Sequence, residues 1–298
     1  MLGEDQPVTA AYSRRGLQPW LGLLLTTLVL AAAAGCTSAE DGGSAAPSTS
    51  QTASSAGTSA SATPPALDPA PRRGQCYRLL FDEAVAPTTT RKAVPCQRRG
   101  VTARTFFVGD LDTLAQGHLL AVDSSRVQAQ LAQVCPKKLA PYLGGTAEDL
   151  RLSMLKPVWF TPTVAQSDLG ATWLRCDLVA VARDGQLAPL RGPLRGAMKG
   201  EWRGIYGLCG TAAPDDKRFG RVICSSEHTW SALSVVAFPG RNYPGIEPVR
   251  KAGAGCEEIA RAEADDALDF RWGYEWPTPE QWGQGRTYGV CWAPSDGS

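Results

Sequence analysis

Residues 276–291 read WPTPEQWGQGRTYGVC, and residues 161–176 read TPTVAQSDLGATWLRC. Set one above the other, Pro277 falls on Pro162, Thr278 on Thr163, Gln281 on Gln166, Gly285 on Gly170, Thr287 on Thr172 and Cys291 on Cys176, with Tyr288 opposite Trp173. The interval from Pro to Cys is the same in both. Working back from these anchors, Cys256 answers Cys135, Cys224 answers Cys96 and Cys209 answers Cys76. Gly74 and Gly207 each stand two residues before a first cysteine, while Val94-Pro95 and Val222-Ile223 each lead into a second. A repeat decides architecture before any single segment does. The chain accordingly divides into two tandem units, residues 74–200 and 201–298.

Local pattern supplies the elements. Ser124 is placed to cap a helix in which Val127, Leu131 and Val134 recur at helical spacing. In EPVRKAGAGCEEIARAEA, Pro248 sits near a helix start and Val249, Ala252, Cys256 and Ile259 share one face. WLRCDLVAVARDGQL alternates Leu174, Cys176 and Leu178 inward, then turns at Asp184-Gly185, a hairpin signal. Each unit therefore reads strand, strand, helix, strand. The predicted fold class is α+β: two disulfide-braced repeats, each a small antiparallel sheet with one packed helix, following a signal peptide and a disordered tether.

The eight cysteines of the body contain no Cys-x-x-Cys, which argues against a thioredoxin-like motif and against a zinc ribbon. With only two histidines, His118 and His228, a Cys/His metal site is poorly supplied, and no cofactor is implied. Widely spaced, even-numbered cysteines in an exported chain point to disulfides. Confining bridges to each unit leaves nine connectivities out of 105, about three for each four cysteines. The favoured set joins Cys76 to Cys96, Cys135 to Cys176, Cys209 to Cys224 and Cys256 to Cys291. Cys76 and Cys96 end two short strand-like runs around the turn-rich APTTTR, as Cys209 and Cys224 do around AAPDDK, and the later cysteines pin a helix to a strand.

The ninth cysteine, Cys36, ends LGLLLTTLVLAAAAGC. Arg14 and Arg15, an apolar run from Leu17 to Ala34 and small residues before the cysteine have the layout of a secretory signal over residues 1–35. AAGC resembles a bacterial lipobox, apart from Ala33, and makes Cys36 the lipid attachment site. Acyl chains, at about 0.8 kcal/mol per buried methylene, hold such a protein on the outer face of the cytoplasmic membrane. A run of about 18 apolar residues spans about 27 Å, so an uncleaved single transmembrane anchor is the alternative, with the body outside in either case. Ala, Ser, Thr, Gly and Pro supply 30 of residues 37–73, too little apolar surface to offset chain entropy, so residues 36–73 read as the lipidated cysteine and a flexible tether.

On these residues the body resembles the septum-formation-related domain of actinobacterial envelope proteins. That family reads approximately Gly-Asp-Cys, Val-x-Cys-x-x-x-His, a Cys-bearing helix, a Pro and Trp segment leading to a Cys strand, and a Leu-x-Gly-Ser-Leu-x-Gly tail. GQCY, AVPC, QVCPKKL, WLRCDLVAV and LRGPLRGAMKG follow that order in the first unit, and VICSSEHTW, FPGRNYPG, GCEEIA and WPTPEQWGQGRTYGVCW in the second. Gly100 stands in place of the family's His, Gln75 in place of its Asp, and the second unit lacks the tail. The resemblance implies an envelope protein linked to cell division, with no known reaction. The function expected is a non-enzymatic extracytoplasmic interaction module, held to the membrane by its lipid and meeting an envelope protein or a wall polymer.

Two other readings set tests for the structure. CSSEH places Ser225, Ser226 and Glu227 beside His228, the raw material of a wall hydrolase, although no Gly-x-Ser-x-Gly elbow accompanies them. Trp276 and Trp282, in a Trp-rich segment, could stack on sugar rings, or could fill a core. His118 reads as structural. Basic and acidic side chains number 30 and 29, so nothing points to nucleic acid. The locally basic LRGPLRGAMKGEWRG reads as a solvated connection between the units.

Overall fold

The computed structural model describes residues 68–115 and 118–295. The signal segment, Cys36, the tether up to residue 67 and the side chain of His118 lie outside the described residues. In chain order the first elements are β1 (Cys76–Tyr77), α1 (Phe81–Ala84), β2 (Ala103–Asp110), the small hairpin β3 (Leu114–Ala115) and β4 (His118–Leu119), and α2 (Ser125–Leu143). Then come α3 (Ala147–Arg151), β5 (Leu155–Phe160), α4 (Val164–Asp168), β6 (Trp173–Arg183) and β7 (Gln186–Ala188). The second half contributes α5 (Arg203–Tyr206), β8 (Leu208–Gly210), β9 (Arg221–Ile223), β10 (Trp230–Ala237), α6 (Ile246–Lys251), α7 (Gly255–Glu263), β11 (Gly273–Glu275), α8 (Pro279–Gly283) and β12 (Tyr288–Pro294).

The quoted stretches are small caps on long strands. Thr163 opens α4 and Thr278 opens α8, each hydroxyl accepting from the backbone N–H of Gln166 or Gln281 at 3.2 Å. Each glutamine side-chain oxygen in turn accepts from its own threonine's N–H at 3.0 Å. These reciprocal bonds satisfy donors that a one-turn helix cannot satisfy internally. Gly170 and Gly285 then take φ of 94° and 95°, a left-handed turn that L side chains resist. The chain is thereby aimed into β6 or β12, each carrying its cysteine. Thr163→Ala and Thr278→Ala should each cost about 1 kcal/mol, nearly additively, as measured by urea unfolding; midpoints equal to the parent's would contradict the capping role.

The strand order among residues 76–183 is β1-β2-β6-β5, and among residues 208–294 it is β8-β10-β12-β11, all antiparallel. Cys176 faces Phe107 on one side and Trp159 on the other, and Cys291 faces Ser234 and Tyr274. A β-bulge interrupts β2 between Thr105 and Phe107, and another interrupts β10 between Ala232 and Ser234. Both sets belong to a single ten-stranded sheet among the described residues, with β6 meeting β9 through Arg183 and Val222. Backbone bonds from Met154 N–H to the Tyr206 carbonyl and from Leu208 N–H to the Leu152 carbonyl tie the halves further. The expectation of one small sheet per unit is thus corrected: β6, central in the first half, runs on to Arg183 and there pairs with β9, the edge strand beside β8, which occupies donors and acceptors that an open edge would leave unpaired.

One core cluster draws on both halves, with Leu131, Leu139 and Leu178 packed in the same assembly as Leu208, Ile223 and Trp292. On α2 the buried residues are Val127, Leu131, Cys135, Leu139 and Leu143, and Ser124 caps the helix by accepting from Val127 N–H. Strand β6 departs from simple alternation, because Arg175, Asp177 and Val179 are buried as well as Leu174, Cys176 and Leu178. Their face is covered by a second cluster around Tyr77, Leu79, Ala84, Val158 and Phe160. The single helix predicted after Pro248 is broken into α6, a 3-10 turn at Ala252–Ala254, and α7. Its inward residues are Val249, Gly253, Cys256 and Ala260. Gly253 is required there, since a Cβ would lie 2.1 Å from the Tyr274 ring. The connection LRGPLRGAMKGEWRG is likewise not simply solvated: Leu194, Met198 and Trp202 are buried while Arg191, Arg195 and Lys199 face outward.

Candidate functional site

The sulfurs pair as Cys76–Cys96, Cys135–Cys176, Cys209–Cys224 and Cys256–Cys291. Cys135 on α2 and Cys256 on α7 each join a helix to the strand beneath it, and all four sulfur-bearing residues of these two bridges are fully buried. The other two bridges lie nearer solvent: Cys96 is exposed and Cys224 half-buried.

The Cys209–Cys224 bridge lines a cleft of about 500 Å³ whose walls include Arg203, Leu152, Leu233, Ile259, Glu263 and His228. Local backbone geometry builds it. Strands β8 and β9 pair with Leu208 opposite Ile223, and Cys224 N–H donates to the Gly207 carbonyl at 3.0 Å. After Cys224 the chain turns, Ser226 N–H donating to the Ile223 carbonyl and Thr229 N–H to the Gly210 carbonyl. This return places a His228 ring nitrogen within 4.8 Å of both sulfurs. Gly207 must be a glycine, because a Cβ would lie 2.3 Å from the Arg203 carbonyl oxygen and 2.9 Å from the Cys224 sulfur. Arg203 is held by Nη1 donating to the carbonyls of Ala232 and Leu233. Ser231, on β10, has its hydroxyl 3.5 Å from the Cys209 sulfur.

His228 itself is half-buried, and its Nδ1 lies 2.8 Å from the Ser226 carbonyl oxygen. A carbonyl only accepts, so Nδ1 carries the proton. The ring bonds no side-chain hydroxyl, and Ser225, Ser226 and Glu227 are exposed neighbours in sequence without the relay a hydrolase triad needs. The two sulfurs and the imidazole are close enough to suggest metal ligation, but the sulfurs are joined to each other and offer no thiolate.

The tryptophans separate. Trp282 is buried, its indole N–H donating to the Arg241 carbonyl at 2.9 Å and its ring packed against Phe238 and Tyr243. It cannot stack on a sugar, which corrects that part of the glycan reading; an aromatic that finds a partner for its N–H is stable in a core. Trp276 stays exposed beside the edge strand β11, with the Arg250 guanidinium 5.4 Å from its ring centroid and Tyr274 at 6.1 Å.

Two buried charge groups stand away from the cleft. Arg175 lies between the rings of Tyr77 and Phe160, at 4.1 and 4.3 Å, and pairs with Asp177 at 3.1 Å. Thr105 donates to the same aspartate at 2.7 Å. Burial pushes the Asp177 carboxyl above its ordinary range despite the opposing pull of Arg175. On β11, Glu275 meets Arg221 and Arg286 through one carboxylate oxygen. Burial pushes this carboxyl up too, but two guanidiniums outweigh it and hold Glu275 at about 2.

Fold and cysteines together define a class: an α+β body on one antiparallel sheet, braced by four disulfides. A family model described as septum formation matches residues 73–291, and the chain belongs to that family. Membership supports a role in cell division, and the family is not a known enzyme family. No curated protein and no solved structure matched the chain. Among the described residues no helix is long and apolar enough to cross a membrane.

Proposed function

We propose that this protein is a non-enzymatic interaction module of the cell envelope that acts in septum formation, carried outside the cytoplasm and held to the membrane by a lipid on Cys36. The observation that carries this reading is the septum-formation match across residues 73–291. Four disulfides support an oxidising location, since such bridges persist outside the cytoplasm and are rare within it. The body is two copies of one unit in tandem. Matching strand order, matching bulges and the paired Thr-Gln caps support that duplication, as does the identical Pro-to-Cys spacing.

A second reading, binding of a wall glycan, is favoured by one feature: Trp276 remains exposed next to Tyr274 and Arg250 at the end of the sheet. One experiment separates the two. A photo-crosslinking residue at position 276 and another at Ile205, an exposed apolar position, are introduced into the full chain in intact cells. The interaction reading expects a discrete protein adduct enriched at division sites, whereas the glycan reading expects adducts with wall material from position 276. A protein spread evenly over the cell surface, with no adduct at either position, would end both.

A further inference from the structure

We propose that the Cys209–Cys224 disulfide is a thiol–disulfide exchange site, which takes electrons from a dithiol entering the cleft, with Ser231 and His228 assisting the departure of Cys209 as a thiolate. The proposal rests on the cleft and does not depend on the septal reading.

Three observations carry it. Both sulfurs belong to residues lining the cleft, and of the two Cys224 is half-buried while Cys209 is fully buried, so an incoming thiolate meets Cys224. The Ser231 hydroxyl lies 3.5 Å from the Cys209 sulfur, which has no hydrogen to give, and 2.9 Å from the Ser295 hydroxyl; with Ser295 donating to Ser231, the Ser231 hydrogen points to the sulfur. A hydrogen bond to the departing thiolate lowers its basicity, and a less basic leaving thiol departs faster. His228, with Nδ1–H committed to the Ser226 carbonyl, keeps the lone pair of Nε2 for the proton of the incoming thiol. The charged groups on the cleft walls are Arg203 and Glu263.

The remaining bridges differ. Cys135–Cys176 and Cys256–Cys291 are sealed in the core. At Cys76–Cys96, Gly100 stands four residues after Cys96 where His228 stands four after Cys224. Arg104 is paired with Cys76 across the sheet where Ser231 is paired with Cys209. The histidine and hydroxyl therefore accompany one of the two outer bridges and not the other.

In the step itself, one thiolate of the dithiol attacks the Cys224 sulfur. The Cys209–Cys224 bond breaks, and its electron pair leaves on the Cys209 sulfur, which takes up the proton relayed through His228. The second thiol of the reductant then loses its proton and attacks its own tethered sulfur in the mixed disulfide. Cys224 is released and protonated, and the reductant closes its own disulfide. Two electrons and two protons pass from reductant to protein.

The test uses the folded chain and dithiothreitol as the dithiol, at neutral pH. Samples are quenched over time, free thiols are alkylated, and each cysteine is followed by peptide mapping, with near-ultraviolet circular dichroism reporting the fold. Cys209 and Cys224 should become labelled while Cys135, Cys176, Cys256 and Cys291 stay closed and the spectrum is unchanged. His228→Ala should slow this opening about fivefold to tenfold, leaving the rate at Cys76–Cys96 as in the parent. Should His228→Ala not fold, Ser231→Ala provides the same comparison with an expected slowing of about threefold. Opening of Cys209–Cys224 only together with the core bridges, or at the parental rate in the folded variant, would overturn the proposal.

Discussion

Glu275→Gln should lower the stability of the folded body by about 3 to 5 kcal/mol, because it strips the shared counter-charge from two largely buried guanidiniums. Arg286 is fully buried and the Arg221 side chain is 16 % exposed, and both reach the same Glu275 oxygen, Arg286 at 3.0 Å. Each guanidinium alone disfavours the other, and burial already works against the charge on Arg221. Glutamine keeps the shape of the side chain and one carbonyl acceptor, so the loss reports charge and not packing. The pH dependence follows with its sign. The folded carboxyl titrates at about 2, below its ordinary 4.5. Its contribution is therefore complete above pH 4.5 and is lost as pH falls towards 2. Asp177 acts in the opposite sense, since its folded value is raised above 3.8: its contribution is full below that value and declines as pH rises through the folded value. Urea midpoints measured from pH 7 down to pH 3 should fall less steeply in Glu275→Gln than in the parent. Parallel curves, or a neutral-pH difference below about 1 kcal/mol, would show the pairs to be incidental.

The second large effect is expected from Cys256→Ala with Cys291→Ala. The bridge closes a loop of 35 residues, for which restriction of the unfolded chain corresponds to about 4 kcal/mol. For a body of this size the melting temperature should drop by about 10 °C. The damage should be local first. Residues Val249, Gly253 and Ala260 hold α6 and α7 down, but Gly253 and Ala260 bring little apolar area of their own. Hydrogen exchange should accelerate in α6 and α7 ahead of β10 and β12. Uniform acceleration across the sheet would mean that the helix is held by packing and that the bridge adds little.

Much of this architecture was legible because it is written locally. The Thr-x-x-Gln pairs, the left-handed glycines and the cysteine spacing are short-range devices, and the Asp184-Gly185 turn and the Ser124 cap are of the same kind. What local pattern does not carry is pairing between distant strands. Nothing about residues 221–223 announces that Val222 will lie beside Arg183, so two sheets were the natural expectation and one sheet is the result. The burial of Arg175, Asp177 and Arg286, and the partial burial of Glu275, escape periodicity for a related reason. Charged residues are assigned to solvent unless their partners are known, and those partners arrive from other elements. In the cleft, the Cys209–Cys224 pair and His228 were each visible in the sequence, as separate features. Arg203, Ser231 and Ile259 were not, since α5, β10 and α7 converge there only in the folded chain. For Trp282 the sequence offers sugar stacking or a place in the core, with the core favoured, and the Arg241 carbonyl that accepts its N–H and seats it there lies 41 residues away.

The central claim is a covalent one: each half of a single sheet is locked by its own two bridges. The direct measurement is peptide mapping without reduction on protein recovered from cells whose thiols were blocked before lysis. The account predicts linked peptides joining Cys76 to Cys96, Cys135 to Cys176, Cys209 to Cys224 and Cys256 to Cys291. A bridge running between residues 76–176 and residues 209–291, or blocked free thiols at Cys135, Cys176, Cys256 or Cys291, would contradict it.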